Sequence, residues 1–83
     1  MTLLELGLEV KRLRDEQKLS QLELARRAGV SRVTLARLET GVLAELGHNK
    51  LERLVNALGY ELAVRPARHR RTLDDLAQER GAR

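Results

Sequence analysis

Within a six-residue span, Arg32, Val33 and Arg37 have side chains suited to reading the edges of base pairs. A guanidinium donates two parallel hydrogen bonds to guanine O6 and N7, and an aliphatic methyl group touches the methyl of thymine. On a helix turning about 100° per residue, Val33, Ala36, Arg37 and Thr40 share one side, while Leu35 and Leu38 face the other way. A surface of Val, Ala, Arg and Thr suits a groove better than a core. Arg32 and Val33 lie at the N-terminal end, which goes deepest, and are expected to meet base edges. Arg37, one turn on, meets either a base or a phosphate. Gln21 and Thr34 are assigned to phosphates, Gln21 because the amides and dipole of a helix N-terminus lie beside it. Thr40 and Lys18 are weaker phosphate candidates.

Other chemistries fail on inventory. His48 and His69 sit in different segments, and neither has a Cys or a spaced His nearby to complete a metal site. Ser20 and Ser31 are the only serines, and both are accounted for as helix caps. Asp74 and Asp75 are adjacent, in a segment with no pocket to support acid–base work. The six glycines are scattered at helix ends and turns, so no phosphate-cradling loop exists. No enzyme activity, metal or cofactor is expected. Cysteine is absent, which removes disulfides and thiolate sites. No apolar run approaches the roughly 18 residues of a membrane span, and no signal sequence is read. A soluble, cytoplasmic protein without membrane association is expected.

The elements that must position these groups are also legible. Eighty-three residues make one small domain, whose core must be aliphatic because the chain has one Tyr and no Phe or Trp. Thr2 with Glu5, and Ser20 with Glu23, are capping boxes that start a first helix at residue 3 and a second at residue 21. Leu6, Val10 and Leu13 form the core stripe of the first helix, which runs to about residue 17, while Lys11, Arg12, Arg14, Asp15 and Glu16 face outward. Gly7 inside that helix predicts either fraying before it or a close neighbour. Leu24, Ala25 and Ala28 give the second helix a narrow face, and Gly29 ends it with a left-handed residue. Val30 plugs the corner, Ser31 caps the third helix and Gly41 stops it. Residues 42–46 are apolar enough for a short helical turn. A fourth helix carries Leu51, Leu54, Val55 and Leu58 at core spacing and ends at Gly59.

From Tyr60 the period changes from 3.6 to 2. Tyr60, Leu62 and Val64 alternate with Glu61, Ala63 and Arg65 before Pro66, the pattern of a strand. A lone strand leaves both edges unpaired. Pairing of Tyr60, Glu61, Leu62, Ala63 and Val64 with the same residues of a second copy, antiparallel across a two-fold axis, satisfies one edge. The other reading is a loose segment with dimerisation through helices alone. Residues 1–64 hold ten basic and nine acidic residues, and residues 65–83 hold six and three, so most of the net charge of +4 is in the tail. Within it, Leu73, Leu76 and Ala77 make one short apolar stripe behind a Thr72/Asp75 cap. The tail is either mobile or ordered by a partner protein or by DNA phosphates.

The stretch 21–40 resembles the helix-turn-helix of the Cro/repressor-type (Xre-like) DNA-binding family, with Gln21, Ala25, Gly29 and Leu35 at the first, fifth, ninth and fifteenth motif positions. The loop after Gly41 is more apolar than the family's. With the terminal strand, the order of elements over residues 4–65 is similar to HipB-type antitoxin repressors. The resemblance implies a mainly all-α, four- to five-helix repressor-like domain with a C-terminal β-strand pairing across a dimer. It places a DNA-binding and dimerisation domain at 1–65 and a basic, flexible tail at 66–83. The implied function is repression through a palindromic double-stranded operator. The homodimer is then either the antitoxin of a cognate toxin or a free-standing regulator. A helical protein-binding adaptor on the same scaffold is the rival of another class.

Overall fold

Four helices, α1 (Leu3–Glu16), α2 (Gln21–Ala28), α3 (Arg32–Thr40) and α4 (His48–Ala57), make up the computed structural model, which describes residues 1–67. Each of the first three starts on a side-chain cap. The Thr2 hydroxyl accepts the Glu5 N–H at 3.1 Å while Glu5 accepts the Thr2 N–H at 2.7 Å. Ser20 and Glu23 repeat the exchange at 3.0 and 2.8 Å. The Ser31 hydroxyl accepts the Thr34 N–H at 3.0 Å. Each cap satisfies amides that the helix itself leaves without acceptors. The stops are equally local: Gly29 (φ 71°) and Gly41 (φ 81°) hold the left-handed conformation that ends α2 and α3.

Leu24, Leu35, Leu38, Leu54 and Val10 are fully buried, and Leu13, Leu19, Ala25, Ala28, Val55 and Leu58 complete the core. Burial of each large aliphatic side chain contributes about 1.5–3 kcal/mol. α1 packs across α3, while α2 packs against both α3 and α4. Close neighbours, not fraying, account for Gly7: the helix continues through it, and the Leu38 main chain lies where its side chain would be. Two side chains tie helix ends together. Gln17 Nε2 donates to the Leu58 carbonyl at 2.8 Å, and Arg53 Nε donates to the Ala28 carbonyl at 2.8 Å.

The all-α, repressor-like architecture expected from the sequence is present. Two local expectations are corrected. Residues 42–46 form no helical turn: Leu43 and Leu46 pack on the core from an irregular segment, and Val42 is exposed. A turn of that length forms few hydrogen bonds to offset its nucleation cost. Arg14 does not face solvent; it is folded inward, as described below. Residues 60–67 have no regular secondary structure in the single chain, and Tyr60, Leu62 and Val64 are 53%, 36% and 100% exposed. The strand expected there is absent from the described residues, where no neighbouring strand offers its backbone N–H and C=O groups partners. The tail's basic run and its 72–77 stripe lie outside the described residues.

Candidate nucleic-acid interface

α3 is held by one side and presents the other. Leu35 and Leu38 are buried in the core, while Val33 is 53% exposed and Arg32, Arg37 and Thr40 face solvent. Ala36 and Thr34 are half-buried at the margin. The Ser31 hydroxyl donates to Thr34 Oγ1 at 2.8 Å, so the Thr34 hydroxyl keeps its own hydrogen for an outside acceptor. Thr40 differs. Its hydroxyl donates back to the carbonyls of Ala36 (3.0 Å) and Arg37 (3.3 Å), which leaves it only acceptor capacity.

Behind this face lies a polar chain that the sequence did not disclose. Glu39 is buried among aliphatic side chains, and Arg14 grips it with both ends of its fork, Nε at 2.8 Å and Nη2 at 2.9 Å. The third Arg14 nitrogen donates to the Leu19 carbonyl at 2.8 Å. The hydrogen bond to Glu39 raises the Arg14 pKa above its ordinary value, against the opposing effect of burial. Glu39 also accepts from Gln21 Nε2 at 3.0 Å, and Gln21 Oε1 accepts from Arg32 Nη1 at 3.2 Å. Two of the residues expected to meet DNA, Gln21 and Arg32, are therefore joined directly. A carboxylate only accepts and a guanidinium only donates. Gln21 satisfies both neighbours in one amide orientation alone, oxygen toward Arg32.

Lys18 is exposed beside this group, in the link from α1 to α2, at φ 59°. At the other end of the motif, Arg53 braces the turn into α3 by bonding the Ala28 carbonyl. Gly47 starts α4 without a side-chain acceptor, and His48, Asn49, Lys50 and Arg53 line a shallow open cavity there. Among the described residues, no cluster of potential metal ligands occurs. None of the described helices is long and apolar enough to cross a membrane.

A helix-turn-helix family model matches residues 10–64, the stretch that contains this helix and its glycine turn. The chain belongs to the helix-turn-helix family, of the Cro/repressor (Xre-like) type. Among solved structures, it is similar to a chain of the SinR protein/SinI protein complex, with 28% identity and a TM-score of 0.64. That match covers 68% of this chain and 54% of the other, so this helix-turn-helix chain spans about half the length of its structural relative. No curated protein matches it significantly. Family and fold together support a DNA-binding transcriptional regulator, a class that is typically not enzymatic.

Proposed function

We propose that this helix-turn-helix chain is a sequence-specific repressor that binds a palindromic double-stranded operator as a homodimer. The observation that carries the reading is the outward face of α3: Val33 and Arg37 are exposed, while Leu35 and Leu38 fix the helix from behind. Two copies of α3 then enter successive turns of the major groove, ~34 Å apart. Arg32 and Val33 meet base edges, and Arg37 meets a guanine or a phosphate. Gln21, through the backbone amides at the N-terminus of α2, and Thr34 hold phosphates, with Lys18 and Thr40 at the margin. Residues 60–64 pair the protomers, so that 1–65 act as one binding and dimerising unit and 66–83 as a basic tail.

The biological setting we favour is an antitoxin that represses its own operon and binds a cognate toxin. The exposed apolar side chains of the 60–64 segment support a protein-binding role at that end. A relative of known structure is recorded as a complex of two proteins, SinR and SinI, which is compatible with a protein partner here. A toxin-like kinase or nuclease reading frame abutting the gene supports this setting. Its absence favours a free-standing regulator.

Selection of bound duplexes from a random pool, repeated at two salt concentrations, tests DNA recognition. A repressor gives an enriched palindrome, with an affinity that falls steeply as counterions compete. A helical protein-binding adaptor gives neither.

A further inference from the structure

The chain Arg14–Glu39–Gln21–Arg32 runs without a break from the buried side of α1 to the exposed start of α3. We infer that Glu39, which lies in the core and faces no DNA, is a positioning residue for base recognition: it fixes the Gln21 amide so that Gln21 holds the Arg32 guanidinium in place before DNA arrives. The inference rests on the proposed reading of Arg32 as a base contact.

Three observations lead there. The Glu39 side chain is 1% exposed and is held by both ends of the Arg14 fork, so it cannot turn. It takes the amide hydrogen of Gln21 at 3.0 Å, which forces the Gln21 oxygen outward. That oxygen accepts from Arg32 Nη1 at 3.2 Å, and the other guanidinium donors have no partner among the described residues. A side chain as long as arginine loses considerable rotamer entropy when it binds. A guanidinium tethered in advance loses less, and its remaining donors suit the paired acceptors O6 and N7 of guanine. The same arrangement selects a donor at position 32. With the amide oxygen facing out, an acceptor there would meet repulsion.

The test uses the duplex selected by the wild-type chain and variants of it changed at one base pair at a time. Arg32→Ala first identifies the pair that Arg32 reads, where the wild-type preference is about tenfold for a two-bond contact. Arg14→Met with Glu39→Met then replaces the buried ion pair with apolar side chains of similar length, an exchange that cores tolerate. The expected result is a preference that falls toward one at that same base pair and holds elsewhere. An unchanged preference there overturns the role of Glu39 while leaving that of Arg32. Equal loss at every base pair also overturns it, because general loosening of the fold does that. Should Arg32→Ala alter no base pair at all, the reading beneath the inference fails first. Gln21→Met leaves the ion pair intact and is expected to relax the same base pair. In the free protein, NMR relaxation of the Arg32 Nε–H is expected to show an ordered side chain in the wild type and a mobile one in both variants. An equally mobile Arg32 in the wild type overturns the tether directly.

Discussion

The α-carbon of Gly7 in α1 lies against the main-chain carbonyl of Leu38 in α3: a β-carbon there would overlap the carbonyl oxygen and sit 2.9 Å from its carbon. The obstacle is backbone and cannot rotate away. Alanine at an ordinary interior helix position is favoured over glycine by roughly 0.5–1 kcal/mol. Here the overlap pushes α1 off α3, and overpacking of this kind costs ~1–3 kcal/mol. Gly7→Ala is therefore expected to destabilise the fold by ~1–2 kcal/mol net. Urea unfolding followed by circular dichroism checks it, and a gain in stability would show that the two helices are not in contact at this point.

Arg37 is exposed on α3 one turn beyond Arg32, and the proposed interface gives its fork either a guanine or a phosphate. The two partners leave different signatures. Arg37→Ala at a guanine costs ~1–3 kcal/mol on the preferred duplex and relaxes a single base position. At a phosphate it weakens all sequences alike and lowers the salt slope by about one. Binding isotherms on preferred and scrambled duplexes at several salt concentrations separate the two.

How far the structure was foreseeable depends on the range of each interaction. The caps at Thr2, Ser20 and Ser31 and the stops at Gly29 and Gly41 involve residues within a turn of one another, so spacing alone discloses them. The outward face of α3 follows from the positions of Leu35 and Leu38. The Arg14–Glu39 pair does not, because 25 residues separate its members; a wheel for α1 sets Arg14 between the buried Val10 and Gly7, and only its charge argues for solvent. A signal existed: Glu39 follows Leu38 on the buried side of α3, where a carboxylate requires a cation. Gly7 was visible as an anomaly whose cause is a neighbour from another helix. The alternation at 60–64 forms no strand among the described residues of the single chain, and the pairing proposed for it requires a second copy.

Acid is expected to loosen the first two helices before it touches the aliphatic core. The carboxyl of Glu5 is held below its ordinary value of 4.5, first by the backbone N–H of Thr2 and then by its hydroxyl. That of Glu23 is lowered in the same way by Ser20. Glu9 is lowered by its hydrogen bond to Arg12. A carboxyl whose folded pKa is depressed stabilises fully above its unfolded value, and that share disappears as pH falls through the folded value. Thermal midpoints should therefore be level near neutrality and drop below about pH 4.5. Glu5→Gln with Glu23→Gln, which keeps an amide oxygen for each cap, should show a shallower drop. An identical pH profile would mean that these boxes carry no linked protons.

If residues 60–64 pair two protomers, the backbone N–H groups of that segment hold the dimer together. Leu62→Pro removes one donor and fixes φ, which sheet interiors do not tolerate. The described helices do not involve this residue, so the fold of the protomer should survive. Light scattering after gel filtration is expected to show a dimer for the wild type at micromolar concentration and a monomer for Leu62→Pro, with helical circular dichroism unchanged. A wild-type chain that elutes as a stable monomer rules out the paired segment, and a dimeric Leu62→Pro moves the interface to the helices.

Lys18 gives opposite expectations for stability and for binding. Its φ of 59° places a side chain in the left-handed region, where the Cβ meets the following carbonyl at a cost of roughly 1–2 kcal/mol that glycine escapes. Glycine gives back part of this through the freedom it has when unfolded. Lys18→Gly should accordingly raise folding stability by up to ~1 kcal/mol. The same change removes a cation from the link beside Gln21. If that ammonium lies on a phosphate, affinity falls for every duplex and the salt slope drops by about one. Stability and DNA affinity measured on this one variant thus separate the backbone role of residue 18 from its charge, and a gain in the first without loss in the second removes Lys18 from the interface.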